Sequence, residues 1–147
     1  MLTARPKRNV QTDSLQSLVG NLMLLQIKAK NYHWNVTGSS FTGLHRSFDK
    51  VADEAEDWVD TIAERMRALQ LPVEATAELY YESRWFSEGS NELDSTEMVS
   101  DLVATLDTIS THIISMIRDE ENPVTSSILE TLGEEVDHQA YFIRSVL

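Results

Sequence analysis

Four side chains of metal-binding type lie within one stretch of the sequence, and helical spacing would place them on a common face: His45, Asp49, Asp60 and Glu64. At about 100° per residue they fall within a sector of about 100°. The apolar residues of the same stretch fall within another sector of about 100°, centred about 140° away: Phe41, Leu44, Phe48, Val51, Ala55, Trp58, Ile62 and Leu69. Because a helix buries its apolar stripe against its own bundle, the four polar side chains face either water or a second molecule.

The axial spacing of these four residues divides them into two pairs. His45 and Asp49 are one helical turn apart, as are Asp60 and Glu64, so each pair can converge on one ion. Asp49 and Asp60, however, are separated by about 16 Å of helix, which no small metal site spans. The spacing therefore predicts two half-sites that become complete when two copies pack antiparallel about a two-fold axis. The alternative interpretation is a solvated face with ordinary charges at i,i+4.

Composition sets broad limits on what the chain can do. With 147 residues and 41% hydrophobic content, it is expected to form one globular domain with a substantial core. The net charge of −12 favours cations over nucleic acid as partners. The chain has no cysteine, which excludes disulfides and thiolate metal sites. It also has no long apolar run, so no membrane association is expected and a cytoplasmic location is the default expectation.

The hydrophobic pattern is helical along most of the chain. Residues 1–11 are interpreted as a flexible N-terminal arm, and residues 12–147 as one bundle domain. The first helix is expected to be capped by Asp13 and to stop at Gly38. The second runs from about Phe41 to Leu69, and a short helix is expected near residues 74–81.

Two capping patterns mark the remaining long helices. Asp94 with Glu97 forms a capping box that opens the third long helix. Asn122 followed by Pro123 is typical of an N-cap and first helical position, and opens the fourth. With a connection between the second and third long helices that is long enough to cross the bundle, the sequence predicts an all-α, ferritin-like four-helix bundle whose crossover carries the short helix.

Bundles of this class often bind two metal ions in their core through two Glu-x-x-His repeats. This chain has only one such repeat, Glu135-x-x-His138, for which a solvated helix end is the simpler interpretation. The outer face of the second helix is therefore the better candidate for a metal site.

The residues around that face carry a family resemblance. Asn31-Tyr32-His33-Trp34-Asn35-Val36-Thr37-Gly38 is followed by Phe41, Leu44-His45 and Phe48-Asp49, and then by Asp60-Thr61-Ile62-Ala63-Glu64-Arg65. This pattern, within residues 31–69, closely resembles the Dps family, the miniferritins first known as DNA-binding proteins from starved cells.

The resemblance implies a specific activity. Family members form hollow homododecamers, oxidise Fe(II) to Fe(III) at sites across two-fold interfaces, usually with hydrogen peroxide rather than dioxygen, and store the ferric mineral inside. Carried over by position, one subunit contributes His33, His45 and Asp49, and its partner contributes Asp60 and Glu64. Carboxylates bind both iron oxidation states, and Zn(II) is a possible competitor for such a ligand set. Trp34, next to His33, is a candidate electron donor, and Arg65 is expected to pair with an acid at the interface.

Two features depart from the family pattern. Relatives commonly have an aspartate in an acidic three-fold pore where this chain has Ser127, so the pore could depend instead on Asp119, Glu120, Glu121 and Glu130. DNA-binding members often carry a lysine-rich tail, whereas the arm here has only Arg5, Lys7 and Arg8. DNA binding is therefore weakly supported, and the alternative function is a non-enzymatic, nucleoid-associated stress protein.

Overall fold

The computed structural model describes residues 10–147, and within that range every regular element is a helix. The four long helices are α1 (Val10–Asn35), α2 (Phe41–Ala68), α4 (Ser95–Asp119) and α5 (Pro123–Arg144). The short α3 (Ala77–Glu82) lies in the crossover between α2 and α4. The predicted all-α ferritin-like bundle is confirmed. None of the described helices is long and apolar enough to cross a membrane.

Both predicted caps of the second half are present. The Asp94 side chain accepts from the backbone N–H of Glu97, and the Glu97 carboxylate accepts from the N–H of Asp94. The Asn122 side chain accepts from the N–H groups of Val124 and Thr125 at the start of α5. These side chains satisfy backbone donors that have no partner within their helix.

The predicted ends of the first helix were wrong. Helix α1 begins at Val10, so Asp13 lies in its first turn and does not cap it. A carboxylate in the first turn still interacts favourably with the positive end of the helix dipole. It ends at Asn35, three residues before Gly38, which adopts a φ of 103° in the connection to α2. The expected arm at 1–11 lies outside the described residues except for its last two positions, which belong to α1.

The predicted apolar stripe of α2 is buried except at its two ends, where Phe41 is exposed and Leu69, just after the helix, is half-buried. Phe48, Val51 and Ile62 are inaccessible to solvent in a core shared by all four long helices. Phe41 is 42% exposed, and its ring lies 4.9 Å from that of His45. The start of α2 therefore presents an aromatic ring beside a candidate ligand.

Buried polar side chains of α1 hold the crossover against the bundle. Gln16 exchanges two hydrogen bonds with the backbone of Glu74, of 2.9 and 2.8 Å. Asn21 donates to the carbonyl of Ser83 and accepts from the N–H of Trp85. These four hydrogen bonds fix the position of the crossover along α1, because the buried amide groups of Gln16 and Asn21 need polar partners.

A buried lysine of α1, Lys28, links α1 both to the crossover and to α4. Lys28 is 2% exposed, and its Nζ lies 2.7 Å from an Asp101 carboxylate oxygen. The same ammonium donates to the carbonyl of Ser87 and to the hydroxyl of Thr105, each at 2.8 Å. Tyr32 donates its hydroxyl to Asp101 as well. The charge of Lys28 is thus paired and fully hydrogen-bonded, as a buried charge requires.

Candidate metal centre

The two candidate imidazoles lie face to face between α1 and α2. The ring centroids of His33 and His45 are 3.8 Å apart with an interplanar angle of 21°. His33 Nδ1 lies 2.6 Å from the carbonyl oxygen of His45, and His45 Nδ1 lies 2.7 Å from the carbonyl oxygen of His33. Each helix therefore orients the ring that belongs to the other.

These reciprocal hydrogen bonds fix the tautomer of both rings. A carbonyl oxygen only accepts, so each Nδ1 must carry the proton and donate it. Each neutral ring then has its lone pair on Nε2, the atom available to a metal ion. A backbone acceptor on the other ring nitrogen is the usual outer-shell arrangement of metal-binding histidines.

Asp49 completes this half of the candidate site and is held by a cation that sequence reasoning had missed. Its Oδ1 lies 3.8 Å from His33 Nε2 and 2.5 Å from the ammonium of Lys30. The hydrogen bond from Lys30 lowers the pKa of the Asp49 carboxyl and raises the pKa of the ammonium. Lys30 lies three residues before His33, one turn back on the same face of α1, and that spacing was the available signal.

Asp60 and Glu64 lie further along α2 and form the second half. Both side chains are exposed and one turn apart, and neither makes a hydrogen bond or ion pair to another described residue. Within residues 10–147 of a single chain, no three histidine or carboxylate side chains come close enough to hold a metal ion. The structure thus stacks His33 on His45 and places Asp49 beside His33, but these three do not close into a metal site within one chain, and Asp60 and Glu64 lie further along α2.

Two other side chains near the site differ in their surroundings: Trp34 is exposed, and Arg65 is hydrogen-bonded to α5 and its N-cap. Trp34 is 70% exposed beside His33. Within the chain, Arg65 donates to the Thr125 hydroxyl at 3.0 Å and the Asn122 side-chain oxygen at 3.4 Å, and its expected acidic partner at an interface stays a prediction. Arg65 therefore ties α2 to the start of α5.

The two histidines outside the candidate site, His112 and His138, both pack against aromatic rings. His112 is half-buried and stacked on Trp85. His138 packs edge-on against Phe142, and its companion Glu135 accepts a 2.7 Å hydrogen bond from the indole of Trp58. The single Glu-x-x-His repeat is therefore engaged in helix packing through its glutamate.

Comparison with known proteins agrees with this architecture. A family model described as the ferritin-like domain matches residues 12–147. The solved structure of Dps from Staphylococcus aureus superposes with a TM-score of 0.88 at 25% identity, covering 93% of this chain and 94% of that one. A Dps structure from Bacillus brevis gives a TM-score of 0.89 at 24% identity, covering 96% and 99%. Together the fold and the family model define a ferritin-like protein.

Sequence relatives narrow this class. A DNA protection during starvation protein from Brevibacillus brevis is 35% identical over 89 residues, and General stress protein 20U from Bacillus subtilis is 32% identical over 81. These alignments cover 60% and 55% of this chain, and the chain spans 60% and 56% of the length of the two relatives. The chain belongs to the Dps family of ferritin-like proteins.

Proposed function

We propose that this protein oxidises Fe(II) and stores the ferric product in a hollow homododecamer, at sites shared between two subunits. The observation that carries the proposal is the division of one ligand set into two separate halves on the same chain. One half offers two imidazole Nε2 atoms beside the Asp49 carboxylate, and the other offers the exposed carboxylates of Asp60 and Glu64. Apposition of two copies would bring unlike halves together twice.

The donor types fit ferrous ion as the substrate. Imidazole and carboxylate together suit Fe(II), and the carboxylates remain good donors for Fe(III). Hydrogen peroxide is the proposed oxidant, with dioxygen as the second candidate. Two ferrous ions supply the two electrons that reduce one peroxide to water, with two protons taken up. Oxidation in pairs would consume peroxide without releasing a one-electron product.

Several groups of this chain have defined tasks in that reaction. The backbone carbonyls of His33 and His45 keep the Nδ1 protons in place, so both Nε2 atoms face the ion without rotation. Lys30 balances the charge of Asp49 before a cation arrives and must release its carboxylate when one binds. The open positions left by a small ligand set are where peroxide and water would approach.

A complementation experiment tests the shared site. One variant carries His45→Ala and Asp49→Ala, and a second carries Asp60→Ala and Glu64→Ala. Each alone should lose peroxide-dependent oxidation of Fe(II), measured by the absorbance of the ferric product. Coexpressed at equal amounts, half of the pairs combine unlike subunits, and each such pair rebuilds one of its two sites. The mixed assembly should therefore recover about a quarter of the native sites.

Native mass spectrometry of each sample provides the control for assembly. When wild-type subunits are mixed with the first variant, activity should fall in proportion to the fraction of variant subunits. This series relates the measured activity to the number of intact sites. If the mixed variants recover nothing while the masses show mixed assemblies, the sites are not shared between subunits. If either variant alone keeps full activity, the residues replaced in it are not iron ligands.

DNA association is a separate outcome and not part of the proposal. The relatives named for DNA protection share the fold, but the net charge of −12 on this chain repels phosphate. A gel shift at low salt that captures DNA while Fe(II) oxidation is absent would favour the nucleoid-associated alternative.

A further inference from the structure

A histidine and a methionine, two side chains of metal-ligand type, line a groove near the other end of α1. This open groove of about 740 Å³ lies between the start of α1, the crossover and the end of α4. Its lining includes Ser17 of α1, Trp85 of the crossover, and His112 and Met116 of α4. Ser17 and His33 are about 24 Å apart along α1, so this groove is remote from the candidate iron site.

The imidazole in this groove is oriented by an aromatic stack. The rings of His112 and Trp85 stack with centroids 3.8 Å apart and an interplanar angle of 2°. No described residue makes a hydrogen bond or ion pair with either nitrogen of His112. Burial lowers the pKa of this histidine, so the neutral ring with a free lone pair predominates at neutral pH. A ring that is already held in place loses little freedom when it binds a ligand.

The neighbouring donor in the groove is a thioether. Met116 lies one turn after His112 on the same face of α4, where side chains have Cβ atoms about 6 Å apart. Both side chains are partly exposed, and both line the groove. Thioether sulfur is a soft donor that selects Cu(I), and imidazole nitrogen also suits copper. Ferrous, calcium and magnesium ions gain little from sulfur.

The charge around the groove favours cations in general. Asp13, Asp119 and Glu121 also line it, and the whole chain carries a net charge of −12. These carboxylates supply an attractive field without being the groups that discriminate among metals. Discrimination rests with the nitrogen and the sulfur.

We propose that His112 and Met116 form a binding site for a monovalent soft metal ion, Cu(I), with Trp85 positioning the imidazole. This site is independent of iron oxidation and requires only one chain. Binding places the ion at the edge of the stacked rings, close enough to the indole to quench its fluorescence.

Competition under anaerobic conditions tests the site. Cu(I) is supplied as its bicinchoninate complex, and the protein is titrated against the chelator's absorbance. Three variants are compared with the native assembly: His112→Phe, which keeps a ring to stack on Trp85; Met116→Leu, which keeps the volume; and Met23→Leu, a control at another partly buried methionine of the core rim. A fourth variant, His45→Ala, shows whether any of the bound copper occupies the proposed iron site.

Native protein should withdraw one tightly held Cu(I) per chain, and the two groove variants should lose it. Since loss of an outer-shell partner alone costs about 10–100-fold in metal affinity, loss of either donor should weaken binding by at least about 100-fold. The Met23→Leu and His45→Ala proteins should keep this equivalent. Cu(I) should also quench tryptophan emission in the native protein and not in Trp85→Phe, which keeps the stack and the donors.

Two results would overturn the proposal. One is unchanged Cu(I) affinity in both His112→Phe and Met116→Leu, with circular dichroism showing folded protein. The other is loss of the tight equivalent in His45→Ala alone, which would assign the copper to the iron site. Because leucine in place of methionine is well tolerated in packed surroundings, the Met116→Leu result stands even if His112→Phe folds poorly.

Discussion

The ammonium of Lys30 occupies the place where a cation would meet Asp49. At 2.5 Å from Oδ1, it neutralises the carboxylate in the absence of metal, and it must move when an ion binds. The pair is partly exposed, with 32% and 37% of the two side chains accessible, so the contact is screened by water and is easily exchanged. Lys30 therefore acts as an internal competitor for the ligand.

Replacing Lys30 with glutamine should strengthen metal binding at this half-site. Exposed ion pairs contribute about 0.2–1 kcal/mol, so removing the competitor should raise the affinity for Co(II), used as a spectroscopic probe, by a factor of about 1.4 to 5. Lys50→Gln makes the same change of charge on α2, where the ammonium pairs with Glu54 at 2.7 Å. Equal Co(II) affinities in the two variants would show that only the net charge of the protein matters, not the Lys30–Asp49 contact. A lower affinity in Lys30→Gln than in the native protein would show that Lys30 assists metal binding.

The candidate ligands differ in how far the sequence could predict them. Helical periodicity alone places His45, Asp49, Asp60 and Glu64 on one face, and their spacing indicates two halves. His33 lies on another helix, so only the family resemblance nominated it. The reciprocal ring-to-carbonyl hydrogen bonds depend on the axial register of α1 against α2, which no local pattern encodes. Which half meets which across two copies is a property of assembly and stays a prediction.

At the scale of elements, the crossover is fixed to α1 by a close approach as well as by hydrogen bonds. A Cβ built on Gly20 would lie 2.9 Å from Cδ1 of Tyr80 and 3.4 Å from its Cα. The absence of a side chain at this position lets α3 rest on α1. In contrast, a Cβ on Gly43 of α2 would meet no atom within 4 Å.

These two glycines give opposite predictions for the same substitution. Gly20→Ala should destabilise the fold, because overpacking typically costs about 1–3 kcal/mol and exceeds the gain of about 1 kcal/mol from alanine's helix propensity. Gly43→Ala should stabilise it by about 0.5–1 kcal/mol. Urea unfolding at equal chain concentration measures both. A stabilised Gly20→Ala protein would mean that Tyr80 moves aside freely.

Local signals predicted some element boundaries and missed others for a physical reason. The capping patterns at Asp94 and Asn122 satisfy their own helix, so sequence was sufficient there. The short helix was expected at residues 74–81 and lies at Ala77–Glu82, capped by Thr76. Its position depends on Gln16 binding the backbone of Glu74, which holds that residue outside the helix. Tertiary contacts outweighed propensity in the crossover.

At the scale of the whole molecule, the charge of −12 per chain favours the approach of cations. Asp119, Glu121 and Glu130 are exposed near the start of α5, whereas Ser127 is an exposed neutral residue among them. The family pattern has an acid at that position, so the field at the expected pore is weaker by one charge per subunit. Electrostatic attraction of Fe(II) should then depend on the surrounding acids.

Uptake of Fe(II) should accordingly respond to salt and to one added acid. Raising the ionic strength from about 0.01 to 0.15 M shortens the Debye length from about 30 to 8 Å, and the initial rate of uptake should fall severalfold. Ser127→Asp should raise that rate at low salt, whereas Ser145→Asp, at the far end of α5, should not. Stopped-flow absorbance of the ferric product measures both, and equal rates in all three proteins would exclude a pore at Ser127.

The paired histidines also divide the site into a stiff side and a compliant side. Each ring is tethered to the main chain of the opposite helix, so neither can pivot without separating α1 from α2. Asp60 and Glu64 carry no such tether and project freely from a single helix. A change in the radius of an ion held between the two halves would therefore have to be accommodated by the Asp60 and Glu64 carboxylates, because the imidazoles cannot move with it.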